Sequence, residues 1–307
     1  NGQINSDEGY FISEKDFKKI NERSLVEQWD VLMSMIGTIG EAAIVKDQPK
    51  YAIKNVALFK CGDELKAKWL YYFLCSPEGK GQLFSNQKGA SQQFVSLTQL
   101  RNLQIPIRDQ STMKKITDIL SAYDDLIENN QKQIKLLEEA AMRLYKEWFT
   151  NLRFPGHENT NIVYGVPDGW RIAKFNEICD LIKDGCKSSE INKGTPYIGL
   201  EHIPRRNICL NEWGDSSEVR SNKYRYKVKD VLFGKIRPYF HKVGFTINEG
   251  VCSTDAMVLR AHENMFPLLL TTAFSDEFVA YSYATCREGA KMPRADWNAM
   301  KNYPVLV

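Results

Sequence analysis

The sequence predicts an α+β protein: two related globules, each a twisted sheet with helices, joined by one long coiled-coil-type helix. Two observations lead there. Residues 29–106 have a diverged second copy at 229–304, with Asp30 and Asp230, and Gly89 and Gly289, at matching places. Between the copies the apolar residues fall into a 3.5-residue period. A repeat this long marks a duplicated domain, since solenoid periods are shorter. Two related globules on one rod suggest one task performed twice at a set distance.

In the first copy Trp29-Asp30-Val31-Leu32-Met33 leads to Gly40, then to Val56-Ala57-Leu58 and Gly89-Ala90, and ends at Ile105-Pro106-Ile107. In the second, Lys229-Asp230-Val231-Leu232-Phe233 leads to Gly244, then to Ala256-Met257-Val258-Leu259 and Gly289-Ala290, and ends at Tyr303-Pro304-Val305. Short apolar runs bounded by turn residues read as strands at 31–33, 43–45 and 56–59, and around 231, 243 and 257. Residues 69–74 read as a buried helix, matched by a helix over 266–278. The second globule is entered through Val166-Pro167-Asp168-Gly169-Trp170, in which Pro-Asp-Gly makes a turn and Trp170 anchors the first strand. Pro155-Gly156 and polar neighbours make the preceding stretch a linker.

The connecting helix shows its pattern in Ile116, Leu120, Tyr123, Ile127, Asn130, Ile134, Leu137, Ala141, Leu144 and Trp148, alternately four and three residues apart. This is a coiled-coil seam, with Asn130 as a register-setting polar residue. At 1.5 Å per residue such a helix is roughly 54 Å long. Its acids and bases nearly balance, whereas a helix following DNA phosphates would be basic, so it is expected to meet protein. Carboxylate pairs such as Asp124-Asp125 are expected on its solvated exterior. The seam requires a partner helix that this sequence does not supply.

Hydrophobic residues make up 43% of the 307 and charged residues 26%, proportions of ordinary globular protein. No apolar run approaches the roughly 18 residues of a membrane span, and no signal peptide opens the chain. Seven cysteines without a CxxC pair read as free thiols of a reducing, cytoplasmic compartment. The first copy has a shorter lead-in than the second, and no second rod follows Val307, so the chain is expected to be a fragment.

Net charge is only +3, but its distribution is informative. Residues 223–242 contain Lys223, Arg225, Lys227, Lys229, Lys235, Arg237 and Lys242 against the single acid Asp230, interleaved with Tyr224, Tyr226, Tyr239, Phe240 and His241. Arg205-Arg206 and the pair Lys291 and Arg294 add to it. Such a mixture suits contacts to phosphates and base edges, the alternative being a solvated strand face. The candidate DNA-binding residues of the second copy are therefore Lys235, Arg237, Tyr239, His241, Lys242, Arg205, Arg206, Lys291 and Arg294. In the first copy Met35-Ile36-Gly37-Thr38-Ile39-Gly40 replaces the basic stretch, its glycines shaping a turn, and the candidates are Ser91, Gln92 and Gln93, side chains able to read base edges.

Signatures of self-contained catalysis are missing. The four histidines show no metal-ligand spacing, and there is no GxxxxGK[ST] loop, G-x-S-x-G elbow or GxGxxG fingerprint. A nuclease or methyltransferase acting alone is thereby disfavoured. A coiled-coil interaction scaffold without DNA contacts is the alternative to DNA recognition.

With Ile105-Pro106-Ile107, Ile116-x-x-x-Leu120-Ser121-Ala122-Tyr123-Asp124-Asp125-Leu126-Ile127, Leu136-Leu137-Glu138, Trp148-Phe149 and the Val-Pro-Asp-Gly-Trp entry in place, the chain resembles the specificity subunit of Type I restriction–modification enzymes over essentially its whole length. The resemblance implies two target recognition domains, each binding half of a split double-stranded DNA site through the major groove. It implies a first domain at 1–108, incomplete at its N-terminus, a helical spacer at 109–152, a linker at 153–166 and a second domain at 167–307. The spacer would dock two methyltransferase subunits through the seam from Ile116 to Trp148. S-adenosylmethionine, Mg and ATP would belong to partner subunits, including a motor/nuclease subunit, with no catalytic residue, cofactor or metal on this chain. A homodimer in which each chain lends its helix to the other is a further expectation, and no membrane is involved.

Overall fold

A computed structural model describes residues 2, 4, 9–84, 95–287, 289 and 291–307, with Glu218 as backbone only. The chain forms two compact units, 1–131 and 132–307. Both mix helices with sheets, and a long helix connects them in sequence.

In the first unit strands β1 (Val31–Ser34), β2 (Ala42–Ile44) and β3 (Val56–Phe59) form an antiparallel sheet with β1 central. Val31 and Met33 face helices α2 (Glu64–Cys75) and α3 (Pro77–Phe84) in a core with Leu70, Leu74 and Leu83. Leu32 points the other way, onto Val26 and Val45. Both faces of β1 are covered, so Val31, Leu32 and Met33 are apolar in succession instead of alternating with polar residues. Each such buried side chain contributes roughly 1.5–3 kcal/mol. Helix α1 (Glu14–Ser24) precedes the sheet, with the Ser13 hydroxyl accepting from the Asp16 amide. The short α4 (Leu97–Arg101) closes the unit with a capping box between Ser96 and Gln99.

The second unit places two five-stranded sheets face to face. Strands β4 (Ile162–Val163) and β5 (Val166–Pro167) form an entry hairpin. One sheet contains β7 (Cys179–Ile182), β10 (Cys209–Leu210), β13 (Val231–Gly234), β14 (Val243–Thr246) and β16 (Ala256–Ala261), in the order β10-β14-β13-β16-β7. The other contains β8 (Gly185–Cys186), β9 (Pro196–Ile198), β11 (Gly214–Asp215), β12 (Lys223–Tyr226) and β15 (Gly250–Cys252). Leu232 and Val258 pack between the sheets with Ile198, Tyr226 and Cys252. Val231 and Phe233 face the opposite way, onto α6 (Phe266–Phe274), α7 (Asp276–Ala284) and α8 (Trp297–Met300), in a core with Leu269, Phe278 and Met300. Strand β6 (Ile172–Lys174) pairs with β17 (Pro304–Leu306). Trp170 packs at a tilt against Phe149 and Phe154, which precede the second unit's strands in the chain.

The duplication is visible in register. Val31 pairs with Phe59 and Val231 with Leu259. Two details depart from the sequence reading. Residues 266–278 are two helices interrupted at Ser275, whose hydroxyl donates to the Thr272 carbonyl and accepts from the Phe278 amide. Ser76 does the same between α2 and α3. Nor are Gly40 and Gly244 equivalent, because Leu232 pairs with Gly244 whereas Leu32 pairs with Ala43. The loop before β14 is one residue longer than its counterpart, which shifts the offset. Gly244 answers a different need: a Cβ there would lie 2.7 Å from the Ile208 carbonyl oxygen beside β10.

The long helix, α5, runs Gln110–Tyr145 and ends in a π-turn at Lys146–Thr150. In the first unit Met113 and Thr117 are its buried residues, and Asp124 and Glu128 continue that face. Tyr72 donates to Asp124 at 2.8 Å, and Lys46 pairs with Glu128 at 2.8 Å. The exterior placement expected for Asp124 is thus corrected: its carboxylate meets the globule because the inward face lies one residue round from the apolar row. In the second unit Glu138 accepts from the Ile208 amide at 2.9 Å, and Met142 packs against the core. The apolar row itself, Ile116, Leu120, Tyr123, Ile127, Ile134, Leu137 and Leu144, is exposed.

Among the described residues no helix is long and apolar enough to cross a membrane.

Candidate nucleic-acid interface

The basic surface of the second unit is built on a buried carboxylate. Asp230, 1% exposed, accepts from the Lys227 amide at 2.7 Å and from two nitrogens of Arg260 at 2.8 and 2.7 Å. Burying an ion is tolerable only when it is paired and hydrogen-bonded in this way. The knot fixes Lys229 in the left-handed region, φ 67°, and aims β13 toward the 235–242 loop. Asp30 is its counterpart, accepting from the Glu27 amide at 2.7 Å and from Lys60 at 2.8 Å.

The 235–242 loop is tied on three sides. The Arg237 amide donates to Pro293, and the Ala295 amide to Lys235, both at 2.8 Å. The Arg206 amide donates to His241 at 3.0 Å. Within the loop Pro238–Phe240 makes a 3₁₀ turn. Arg237 (φ 50°) and His241 (φ 52°) flank it in the left-handed region, where the first unit has Gly37 (φ 78°) and Gly40 (φ 86°). The first-unit glycines therefore shape the turn, as expected. The second unit keeps the two left-handed positions and places side chains where glycine is easiest, a strain that non-glycine residues bear at functional loops.

These ties gather three segments that the sequence separates. Arg205 lies over the Phe240 ring with Cζ 4.1 Å from its centroid, and Arg237 lies 5.8 Å from the same ring. Tyr239 is half exposed and meets Phe240 and Tyr283 edge-on. Arg206 pairs with Asp276 at 2.9 Å, and Arg294 with Asp255 at 3.2 Å. Lys242 donates to the Leu200 carbonyl, and burial lowers its pKa. Burial also lowers the pKa of Lys235, with Asp255 opposing the shift. Lys291 is exposed.

His241 turns inward. It is 3% exposed, with Nε2 2.8 Å from the Phe274 carbonyl and Nδ1 3.4 Å from Asp276. Burial, then Arg206, lower its pKa. The carbonyl accepts, so a neutral ring carries its proton on Nε2. The placement of His241 on the outer surface is therefore corrected: the left-handed backbone sends its ring under the loop, where it supports the surface from beneath.

The basic run at 223–229 is not part of this surface. Lys223 is buried, donates to Ser221 and sits over Tyr197 of the same sheet. Arg225 pairs with Asp184 and Glu190. Lys229 lies over Phe266. The acids that neutralise Arg225 are distant in sequence, and Lys223 and Lys229 are engaged by a hydroxyl and by aromatic rings. Ser91, Gln92 and Gln93 lie outside the described residues. Sequence reasoning left Phe240, Asp255, Phe274 and Asp276 off the site. Only Phe240 carried a local signal, as an aromatic among bases.

No group of three or more His, Cys, Asp or Glu side chains among the described residues could hold a metal ion. The thiols of Cys179 and Cys252 are pushed up to about 12 by burial, which suits packing and not nucleophilic attack.

Residues 1–139 match the family profile of the Type I restriction modification DNA specificity domain. The Type I restriction enzyme MjaIX specificity subunit of Methanocaldococcus jannaschii is 25% identical over 237 residues, 73% of this chain and 54% of that protein. The EcoDI specificity subunit of Escherichia coli is 19% identical over 247 residues, 69% of this chain and 53% of its own. The chain spans about half the length of these curated relatives. Both alignments exceed the length of either unit, so the likeness extends across the two. A crystal structure of the Type-I restriction-modification system S subunit from M. genitalium shares the fold, with TM-score 0.53 and 13% identity over 93% of this chain and 73% of that one.

Proposed function

From a chain that carries a Type I restriction modification DNA specificity domain and resembles type I specificity subunits over both units, we propose that it is a DNA sequence-recognition subunit of a Type I restriction–modification complex. Each unit takes half of a bipartite double-stranded site. The exposed row on α5 receives methyltransferase subunits, through which a motor/nuclease subunit joins. S-adenosylmethionine, Mg and ATP belong to those partners. The observation that carries the reading is the convergence of Arg205, Arg237 and Tyr239 about the Phe240 ring of the second unit, from segments apart in sequence. A surface of cations and aromatics answers the phosphate backbone and the groove edges together.

Mapping methylated sites in cells carrying the complete system, with and without this gene, tests the proposal. A split motif that disappears with the gene is the expected result. An unchanged methylation pattern overturns it. Lys235→Ala together with Arg237→Ala is expected to weaken duplex binding and flatten its dependence on salt.

The exposed row on α5 also favours a second reading, an interaction scaffold with no DNA contact. That reading requires that the chain, even with its methyltransferase partner present, retain no duplex in a sequence-selective way.

A further inference from the structure

We infer that Arg237 is the specificity-determining residue of the second unit, presenting its guanidinium to the major-groove edge of a guanine while Arg205 holds a neighbouring phosphate. The inference rests on the proposed reading of the chain as a DNA-recognition subunit and names what that surface reads.

Three of the cations at this surface are already engaged within the fold. Arg206 is held by Asp276, Arg294 by Asp255, and Lys242 by the Leu200 carbonyl. Arg237 differs. Among the described residues its guanidinium has no hydrogen bond or ion pair, and its Nε is buried without a partner. Apart from the Phe240 ring, nothing among the described residues uses this group, although an unsatisfied buried donor weakens the folded state.

The backbone beneath it is fixed. The Arg237 amide donates to Pro293, Ile236 bridges to Arg294, and φ is 50°. The first unit uses Gly37 at this place, so the second retains a side chain where the backbone would prefer none. A fixed backbone and a buried Nε leave the two terminal nitrogens as the donors available to a ligand. A guanine edge offers two adjacent acceptors, O6 and N7, to such a fork, whereas adenine places an N–H donor beside its N7. Base reading needs a directed donor; phosphate contact does not. Arg205, exposed and lying over the Phe240 ring, suits phosphate.

The test is selection by the full chain from duplexes with a randomised central segment, comparing wild type with Arg237→Lys, Arg237→Gln and Arg205→Ala. Wild type is expected to enrich a motif containing a G·C pair that depends on Arg237. Arg237→Lys, which keeps the charge and loses the planar fork, is expected to preserve the rest of the motif and lower the guanine preference there about tenfold. Arg237→Gln is expected to move the preference toward adenine. Arg205→Ala is expected to weaken binding to every duplex and reduce the salt slope by about one unit, with the motif unchanged. The preserved remainder of the motif shows that each variant is folded. If Arg237→Lys enriches the wild-type motif with the same weights, the assignment is overturned while DNA recognition stands. A wild-type chain that retains no duplex at all overturns both.

Discussion

The two units carry the same carboxylate knot and build opposite loops on it. Asp30 and Asp230 are equally buried, each accepts from the amide three residues earlier, and each meets a cation at or just past the end of the third strand of the repeat, Lys60 or Arg260. Beyond the knot one unit continues through glycines and apolar residues and the other through bases and aromatics. The scaffold of this repeat is therefore separable from its surface, since the two left-handed turn positions persist where most of the loop side chains have changed.

The knots themselves offer the largest effect. Arg260 grips Asp230 with two nitrogens, whereas Lys60 is half exposed and shares itself with Glu27. Asp230→Ala is expected to destabilise the second unit by about 3 kcal/mol, because it strands a partly buried guanidinium and an amide. Asp30→Ala is expected to cost the first unit about 1–2 kcal/mol, as Lys60 can turn to water or Glu27. Urea unfolding that follows the two units separately would check this. Equal losses would mean that the knots are equivalent and the choice of cation immaterial.

The loops come next. Gly37 has open space around a notional Cβ, so Gly37→Ala isolates the backbone cost of the left-handed region, about 1–2 kcal/mol. The converse change, Arg237→Gly, is expected to stabilise the second unit by up to about 1 kcal/mol while weakening duplex binding. A thermal melt beside a binding isotherm would reveal that opposition. Loss of stability in Arg237→Gly would show that the side chain supports the fold and not a ligand.

How much of this the sequence disclosed follows from the range of the interactions. The strands, the long helix and the repeat are written in local periodicity, and Val31, Trp69 and Ile116 signal them directly. The registers were hidden because a one-residue difference in a loop moves Gly244 opposite Leu232 without changing any pattern. The charge on 223–229 was misleading because Asp184 and Glu190, which neutralise Arg225, lie about forty residues away. His241 reads as one more basic residue among aromatics until its left-handed φ turns the ring beneath the loop. Asp276, which links His241 to Arg206, gives no local sign of either partner.

His241 gives the comparison a pH dependence that Gly40 cannot. Its pKa is lowered in the folded protein, chiefly by burial, so the unfolded chain binds the proton more readily. The stability it supports is complete above the ordinary histidine value of about 6.5 and declines as pH falls from there toward the folded pKa. The second unit is therefore expected to lose stability on acidification through this window. His241→Gln, which keeps a donor toward the Phe274 carbonyl, is expected to flatten that dependence in unfolding experiments at stepped pH. A wild-type slope retained in the variant would assign the titration elsewhere.

The smallest effects divide one helix along its length. On the inward row of α5, Asp124 takes the Tyr72 hydroxyl proton into a hydrogen bond; on the outward row Ile127 and Leu137 are mostly exposed. Asp124→Ala is expected to cost the first unit about 1 kcal/mol, the worth of a part-buried hydrogen bond to a charged group. Ile127→Ser and Leu137→Ser are expected to change the stability of the isolated chain by less than about 0.5 kcal/mol, since neither buries appreciable surface within it. Their influence should appear only when a protein partner covers the row, and co-purification of the methyltransferase subunit with each variant would measure it. If the serine variants destabilise the isolated chain as much as Asp124→Ala, the row already packs against another copy of this chain. If they leave methyltransferase association intact, the outward row has been given the wrong partner.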